Sequence, residues 1–128
     1  MRVLLDTHAL IWWLAGDDRL SRSARATIAD ESNEVFVSAA SAWEISTKHR
    51  LGKLDGAGPL AVDFAREIHA QGFTPLPISL AHGQIAGALV SEHRDPFDRM
   101  LFAQAREEKM ALISNEVAFD GFGITRIW

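Results

Sequence analysis

Acidic side chains stand at the ends of three apolar runs and at the start of a helix: Asp6 after Arg2-Val3-Leu4-Leu5, Glu44 beyond Val35-Phe36-Val37, a pair in Asp95-Pro96-Phe97-Asp98, and Glu116 after Leu112-Ile113-Ser114-Asn115. Carboxylates gathered in one crevice repel each other, and they stay together only with raised pKa values or with bound cations. Oxygen donors without cysteine or clustered histidine suit Mg²⁺, with Mn²⁺ as a substitute. Carboxylates holding such ions commonly hydrolyse phosphodiesters, because a metal activates water and stabilises charge on the attacking and leaving oxygens. Each residue alone has a plainer role available. Ser41-Ala42-Trp43-Glu44 has the form of a capping box, Glu44 and Lys48 are spaced as an i,i+4 ion pair, and Asp95 suits an N-cap ahead of Pro96. Their joint placement at element ends is what argues for a site.

The elements that must position them follow from periodicity. Arg2–Leu5 is too short for a helix and reads as a strand buried on both faces, which would carry Asp6 to the rim where open α/β sheets bind ligands. Residues 7–15 are apolar nearly all round and end at Gly16; Trp12 and Trp13 read as core, with a partner chain as the alternative. Ser21 suits the cap of a second helix with Leu20, Ala24 and Ile28 inward. A buried strand at 35–37 precedes a helix over 38–51, whose end carries Lys48, His49, Arg50 and Lys53. One further helix places Leu60, Phe64, Ala65 and Ile68 inward. The prolines in Phe73-Thr74-Pro75-Leu76-Pro77-Ile78 assign that strand to a sheet edge. Ser79 caps a helix with Ala81, Ile85, Ala88 and Leu89 on one face, and the next helix runs from Pro96 to about Lys109. Strands at 111–114 and 124–128 complete an alternation that predicts an α/β fold with a mostly parallel sheet.

With 128 residues, 48% of them hydrophobic, the chain forms a single domain over 1–128. There is no cysteine, so disulfides and thiolate zinc sites are excluded, and His8, His49, His69, His82 and His93 show no metal-binding spacing. No apolar run approaches the roughly 20 residues of a membrane span, and Met1-Arg2 leads straight into a strand, which points to a soluble cytoplasmic protein. The formal net charge of −4 argues against a general nucleic-acid coat protein, though not against an enzyme whose acidic cleft is neutralised by cations. Walker A, dinucleotide-binding and Ser-His-Asp patterns are all missing.

Leu4-Leu5-Asp6-Thr7-His8, Ser41-Ala42-Trp43-Glu44-Ile45, Asp95-Pro96-Phe97-Asp98-Arg99-Met100-Leu101 and Leu112-Ile113-Ser114-Asn115-Glu116 together resemble the PIN-domain family, and more narrowly its VapC-type ribonuclease toxins. The resemblance implies a three-layer α/β/α sandwich with a five-stranded sheet in the order 3-2-1-4-5. It also implies Mg²⁺-dependent cleavage of RNA, a homodimer, and a cognate antitoxin as partner. Matched position by position, Asp6, Glu44 and Asp98 fall on the family's acidic positions, leaving Asp95 as a cap. Glu116 falls where the family often has Asp, and completes the expected catalytic and metal-ligating set. Thr7 and Ser114 would orient that set, and Lys48, Arg50 and Arg99 would contact the substrate. Two other readings compete. A metal-dependent phosphatase or phosphotransfer domain also places Asp after its first strand, but would need a second Asp where His8 stands. A non-catalytic interaction module would keep the acidic pocket as a vestige.

Overall fold

The computed structural model describes residues 1–128. Strands β1 (Arg2–Leu5), β2 (Glu34–Ser38), β3 (Thr74–Leu76), β4 (Ala111–Ile113) and β5 (Arg126–Ile127) form one sheet in the order β3-β2-β1-β4-β5. All four pairings are parallel, so the sheet is wholly parallel rather than mostly so. Parallel pairing needs crossovers, and these carry seven helices: α1 (Thr7–Ala15), α2 (Arg22–Ala29), α3 (Ala39–Arg50), α4 (Gly58–Val62), α5 (Phe64–Ala70), α6 (Leu80–Ala88) and α7 (Pro96–Glu107). A 3₁₀ turn, Val117–Phe122, lies between β4 and β5.

Alternation along the strands divides the core between the two faces of the sheet. Val3, Leu5, Val35, Val37, Ala111 and Ile113 pack on one side with α1, α2, Ile45 of α3 and Ile68 of α5. Leu4, Phe36, Leu76 and Leu112 pack on the other with Leu101, Phe102 and Ala105 of α7 and with Phe119. Helices on both faces of a parallel sheet make the expected three layers. From β1 the chain winds outward to β2 and β3, then returns to β4 and β5. The reversal lies between β1 and β4, and the carboxyl ends there form the crevice that such a switch point opens.

Three expectations are corrected. Ser38, not a serine at 41, caps α3: its hydroxyl accepts the Ala40 N–H, while Ser41 and Glu44 are buried within the helix. The segment after Pro59 is two short helices instead of one, because Asp63 breaks the run and caps the second by accepting the Arg66 N–H. Half of the face assigned to α6 is outward, while Ile85 and Leu89 are partly buried. Ala81 and Ala88 are exposed, and His82 and Ala86 point in. Trp12 is buried against Trp128, settling its core role, and Trp13 donates to Gln71 while packing on Phe73. The large outward-facing aromatic is instead Trp43, 59% exposed.

His82 can point inward because polar partners meet it. Its Nδ1 accepts the Ser79 N–H at 3.0 Å, which leaves Nε2 to face Glu108 at 2.9 Å. Beside it the fully buried Gln104 of α7 accepts from the Ser38 hydroxyl and donates to the Pro77 carbonyl at 3.3 Å. Gln104 thereby ties α7, which starts at the Asp98 end, to the cap of α3, which carries Glu44. Gln104→Leu strips the buried Ser38 hydroxyl of its acceptor and the Pro77 carbonyl of a donor. Such a loss costs about 1–3 kcal/mol, readable by urea unfolding; an unchanged midpoint would contradict this role for Gln104.

Candidate active site

The crevice at the switch point holds a cleft of about 200 Å³ with no apolar lining residue: Asp6, Thr7, His8, Glu44, Lys48, Asp95, Asp98, Asn115 and Glu116. Carboxylates far apart in the chain thus converge, each by a local rule. Asp6 is both the residue after the central strand and the N-cap of α1; its Oδ1 accepts the Ala9 N–H at 2.7 Å. Glu44 lies one and a half turns into α3, on the face that looks back toward Thr7. The Thr7 hydroxyl donates to Glu44 Oε1 at 2.6 Å and lies 3.0 Å from the Ser41 hydroxyl. Asp98 is in the first turn of α7, whose start is fixed by Asp95 accepting the Phe97 and Asp98 N–H groups and by Pro96 at N1. Glu116 caps the 3₁₀ turn, accepting the Ala118 N–H, and stands exposed at the rim.

Electrostatics single out the floor of this cleft. Asp6 is only 7% exposed. Burial pushes its carboxyl up to about 6, with the charge of Asp98 adding to the rise and the Ser114 hydroxyl, the Ala9 N–H and His8 opposing it. Burial likewise raises Asp98, with Asp95 and Glu44 adding, against the hydrogen bond from His93. His93 Nε2 lies 3.0 Å from Asp98 Oδ2. The remaining Glu44 oxygen accepts from the Lys48 ammonium, the i,i+4 pair expected from sequence. Among the Lys and Arg side chains, Lys48 alone lines the cleft.

Thr7 and Ser114 therefore sit where orienting groups were expected. The Ser114 hydroxyl helps hold the Asp6 carboxyl down and accepts the Glu116 N–H at 3.0 Å. Arg50 is exposed at the end of α3, outside the lining. Arg99, expected at the substrate, is turned away: its guanidinium donates to the carbonyls of Ala86 (3.1 Å), Leu89 (2.6 Å) and His93 (2.9 Å), so it braces the loop that precedes α7. Sequence reasoning missed His93, His8 and Ser41. A histidine five residues before Asp98 was the only local signal for the first, and loop geometry decides whether such a pair meets.

An all-oxygen carboxylate set fits a hard divalent cation, and the Asp6 and Asp98 carboxyls are raised by burial first, with neighbouring carboxylate charge adding to it. The side chains are not preassembled as a closed cage, since no three acidic or histidine groups gather around one point as ligands. Glu44 is instead occupied by Thr7 and Lys48, and Asp98 by His93.

The unfavourable ionisation of Asp6 has a measurable sign. Its folded pKa lies above the unfolded 3.8, so the folded state holds the proton longer and stability falls as pH rises through that interval to about 6. Asp6→Asn keeps the cap and abolishes the charge. In EDTA it should exceed the native chain in stability by up to about 3 kcal/mol at pH 8, with the gap closing below pH ~4. Urea unfolding at both pH values checks this; a gap independent of pH contradicts it.

Comparison with known proteins agrees with the architecture. Residues 3–123 match the PIN domain family. Ribonuclease VapC22 of Mycobacterium tuberculosis is 32% identical over 118 residues, covering 89% of this chain and 86% of that one. Ribonuclease VapC16 of the same organism is 41% identical over 58 residues, which span 45% of this chain but only 41% of the relative. Among solved structures, M. tuberculosis VapC20, described as a sarcin-ricin loop cleaving toxin, superposes with a TM-score of 0.68 at 17% identity, covering 96% of each chain. FitAcB from Neisseria gonorrhoeae superposes at 0.66 with 16% identity, covering 97% of this chain and 95% of that one. With its matching residues spanning nearly the whole sequence and its sheet order the expected one, the chain belongs to the PIN domain family.

Proposed function

We propose that this chain is a Mg²⁺-dependent endoribonuclease, with Mn²⁺ as a possible substitute, acting as the toxin of a toxin–antitoxin pair. The observation that carries the reading is the convergence of Asp6, Glu44, Asp98 and Glu116 in one wholly polar cleft at the switch point of a PIN fold. Relatives named ribonucleases support the reaction class. The neighbouring VapBC2 of Rickettsia felis and VapBC-1 of Haemophilus influenzae support an antitoxin partner. The phosphotransfer alternative has no comparable support, and a vestigial pocket does not account for a buried Asp6 and a half-buried Asp98 whose carboxyls are both raised.

In this reading Asp6, Glu44 and Asp98 hold the divalent cation, with Glu116 contributing from the rim. When bound, the ion supplies a Lewis acid that activates water and stabilises charge on phosphate oxygens. The chain's own groups do the rest. Thr7, backed by Ser41, fixes the Glu44 rotamer and the Ala9 N–H fixes that of Asp6 beside Ser114, so that little ordering is left for the moment of reaction. His93 holds Asp98 at the lip of the cleft. Lys48, and Arg50 two residues further along at the end of α3, offer cations to the flanking RNA phosphates. A homodimer belongs to the same proposal, supported by the exposed apolar side chains Trp43, Ile78 and Leu80. No helix is long and apolar enough to cross a membrane.

The purified protein should cleave single-stranded RNA in Mg²⁺ and stop in EDTA. Asp6→Asn, Glu44→Gln and Asp98→Asn should each cut the rate by about a hundredfold or more while keeping the fold by circular dichroism. A fully active Asp98→Asn protein would remove this site assignment. Glu116→Gln should behave differently: a peripheral ligand contributes mainly to binding, so the Mg²⁺ concentration for half-maximal cleavage should rise more than the saturated rate falls. An unchanged Mg²⁺ dependence would exclude Glu116 from the ligand set.

A further inference from the structure

We propose that Lys48 is a built-in counter-cation of the acidic cleft: its ammonium holds Glu44 in place until a divalent ion takes over that charge, and so it sets how tightly the ion binds. This rests on the reading that the cleft binds such an ion, and adds to it the residue against which the ion competes.

Both Glu44 oxygens are taken, one by the Thr7 hydroxyl and the other by Lys48. Each oxygen keeps a second lone pair, so an ion can share Glu44 with the neutral Thr7 hydroxyl, but sharing it with the Lys48 ammonium sets two cations on one carboxylate. Thr7 is 4% exposed and belongs to a buried cluster with Ser41 and Glu44. Lys48 is the partner with somewhere to go, since its side chain is 33% exposed and sits on a flexible stem. Its Nζ also lies 5.9 Å from the centre of the Phe97 ring, a second favourable resting surface next to the cleft.

Charge points the same way. Asp6, Glu44, Asp95, Asp98 and Glu116 line the cleft, with Lys48 as the only Lys or Arg among them. The Lys48 ammonium bonds Glu44 and shares the cleft with Asp6, Asp95 and Asp98. The ammonium is thus bound by the same carboxylates that would bind the ion. A divalent cation brings twice the charge to the same anions, and two cations at this separation repel each other. Bringing in the ion releases Lys48 from Glu44 and leaves its ammonium at the cleft mouth, where an RNA phosphate arrives. The apparent affinity for the ion is lowered by the cost of breaking the Lys48–Glu44 pair.

Calorimetric titration of Mn²⁺ into the RNA-free protein tests this without reference to turnover. Lys48→Met keeps the stem and removes the charge, and it should bind Mn²⁺ at least about threefold more tightly than the native chain. Lys48→Arg keeps the charge and should restore the native affinity. Thermal unfolding adds a second readout: Lys48→Met should be less stable than native in EDTA and recover at saturating Mn²⁺, whereas a merely structural loss would persist. Equal or weaker Mn²⁺ binding by a folded Lys48→Met protein would overturn the inference. Asp98→Asn separates this failure from that of the parent reading. If Asp98→Asn abolishes Mn²⁺ binding while Lys48→Met leaves it unchanged, only the role of Lys48 falls. If the native chain binds no Mn²⁺ at all, both fall.

Discussion

Everything at the site depends on one unfavourable arrangement: a carboxylate buried at the end of the central strand, its pKa raised by that burial and, to a lesser degree, by the charge of Asp98. Asp6 cannot move away. Its backbone continues β1, its N–H donates to the Ile113 carbonyl of β4, and its side chain caps α1. An N-cap favours the charged form while burial disfavours it, and burial prevails. The chain keeps a group that costs folding energy at neutral pH, at the place where parallel sheets bind ligands. Strain of that kind is what a functional site tolerates and a structural one removes.

The surrounding structure is arranged to contain this charge. Thr7 follows Asp6 directly and reaches across to Glu44, so one turn of chain aims two carboxylates. Ser114 follows β4 and meets Asp6 from the neighbouring strand. Gln104 ties α7 to the α3 cap through Ser38, which fixes the spacing of the helices that carry Asp98 and Glu44. Arg99 spends its guanidinium on three backbone carbonyls, stiffening the approach to α7 and holding the loop that brings His93 to Asp98. The stiff parts of the site are thus backbone-linked, and Lys48 is the mobile cation among them.

Much of this was legible in the sequence, for local reasons. A short apolar run ending on Asp fixed β1 and the place of Asp6, and Asp-Pro fixed the start of α7. Two prolines placed β3 at an edge, and the strand–helix alternation gave a parallel sheet. What was not legible depends on contacts between distant residues. Ser38 and Ser41 are both plausible caps, and a glutamate three residues after Ser41 favours the wrong one; what decides is that β2 ends at Ser38, next to Gln104. The inward face of α6 follows from partners for His82 that lie on α7 and just past its end. Arg99 looked available to substrate because nothing local shows the carbonyls that engage it. His93 looked isolated until the loop turned it toward Asp98.

The central claim is that these carboxylates exist to hold a divalent cation. Crystals soaked in Mn²⁺ and measured at its absorption edge test this most directly, since the anomalous signal locates the ion without assumption. The account predicts an ordered Mn²⁺ with oxygens of Asp6 and Asp98 at about 2.2 Å, and the Lys48 ammonium displaced from Glu44. An acidic cleft without an anomalous peak at saturating Mn²⁺, or a peak held only by exposed carboxylates elsewhere, would contradict it.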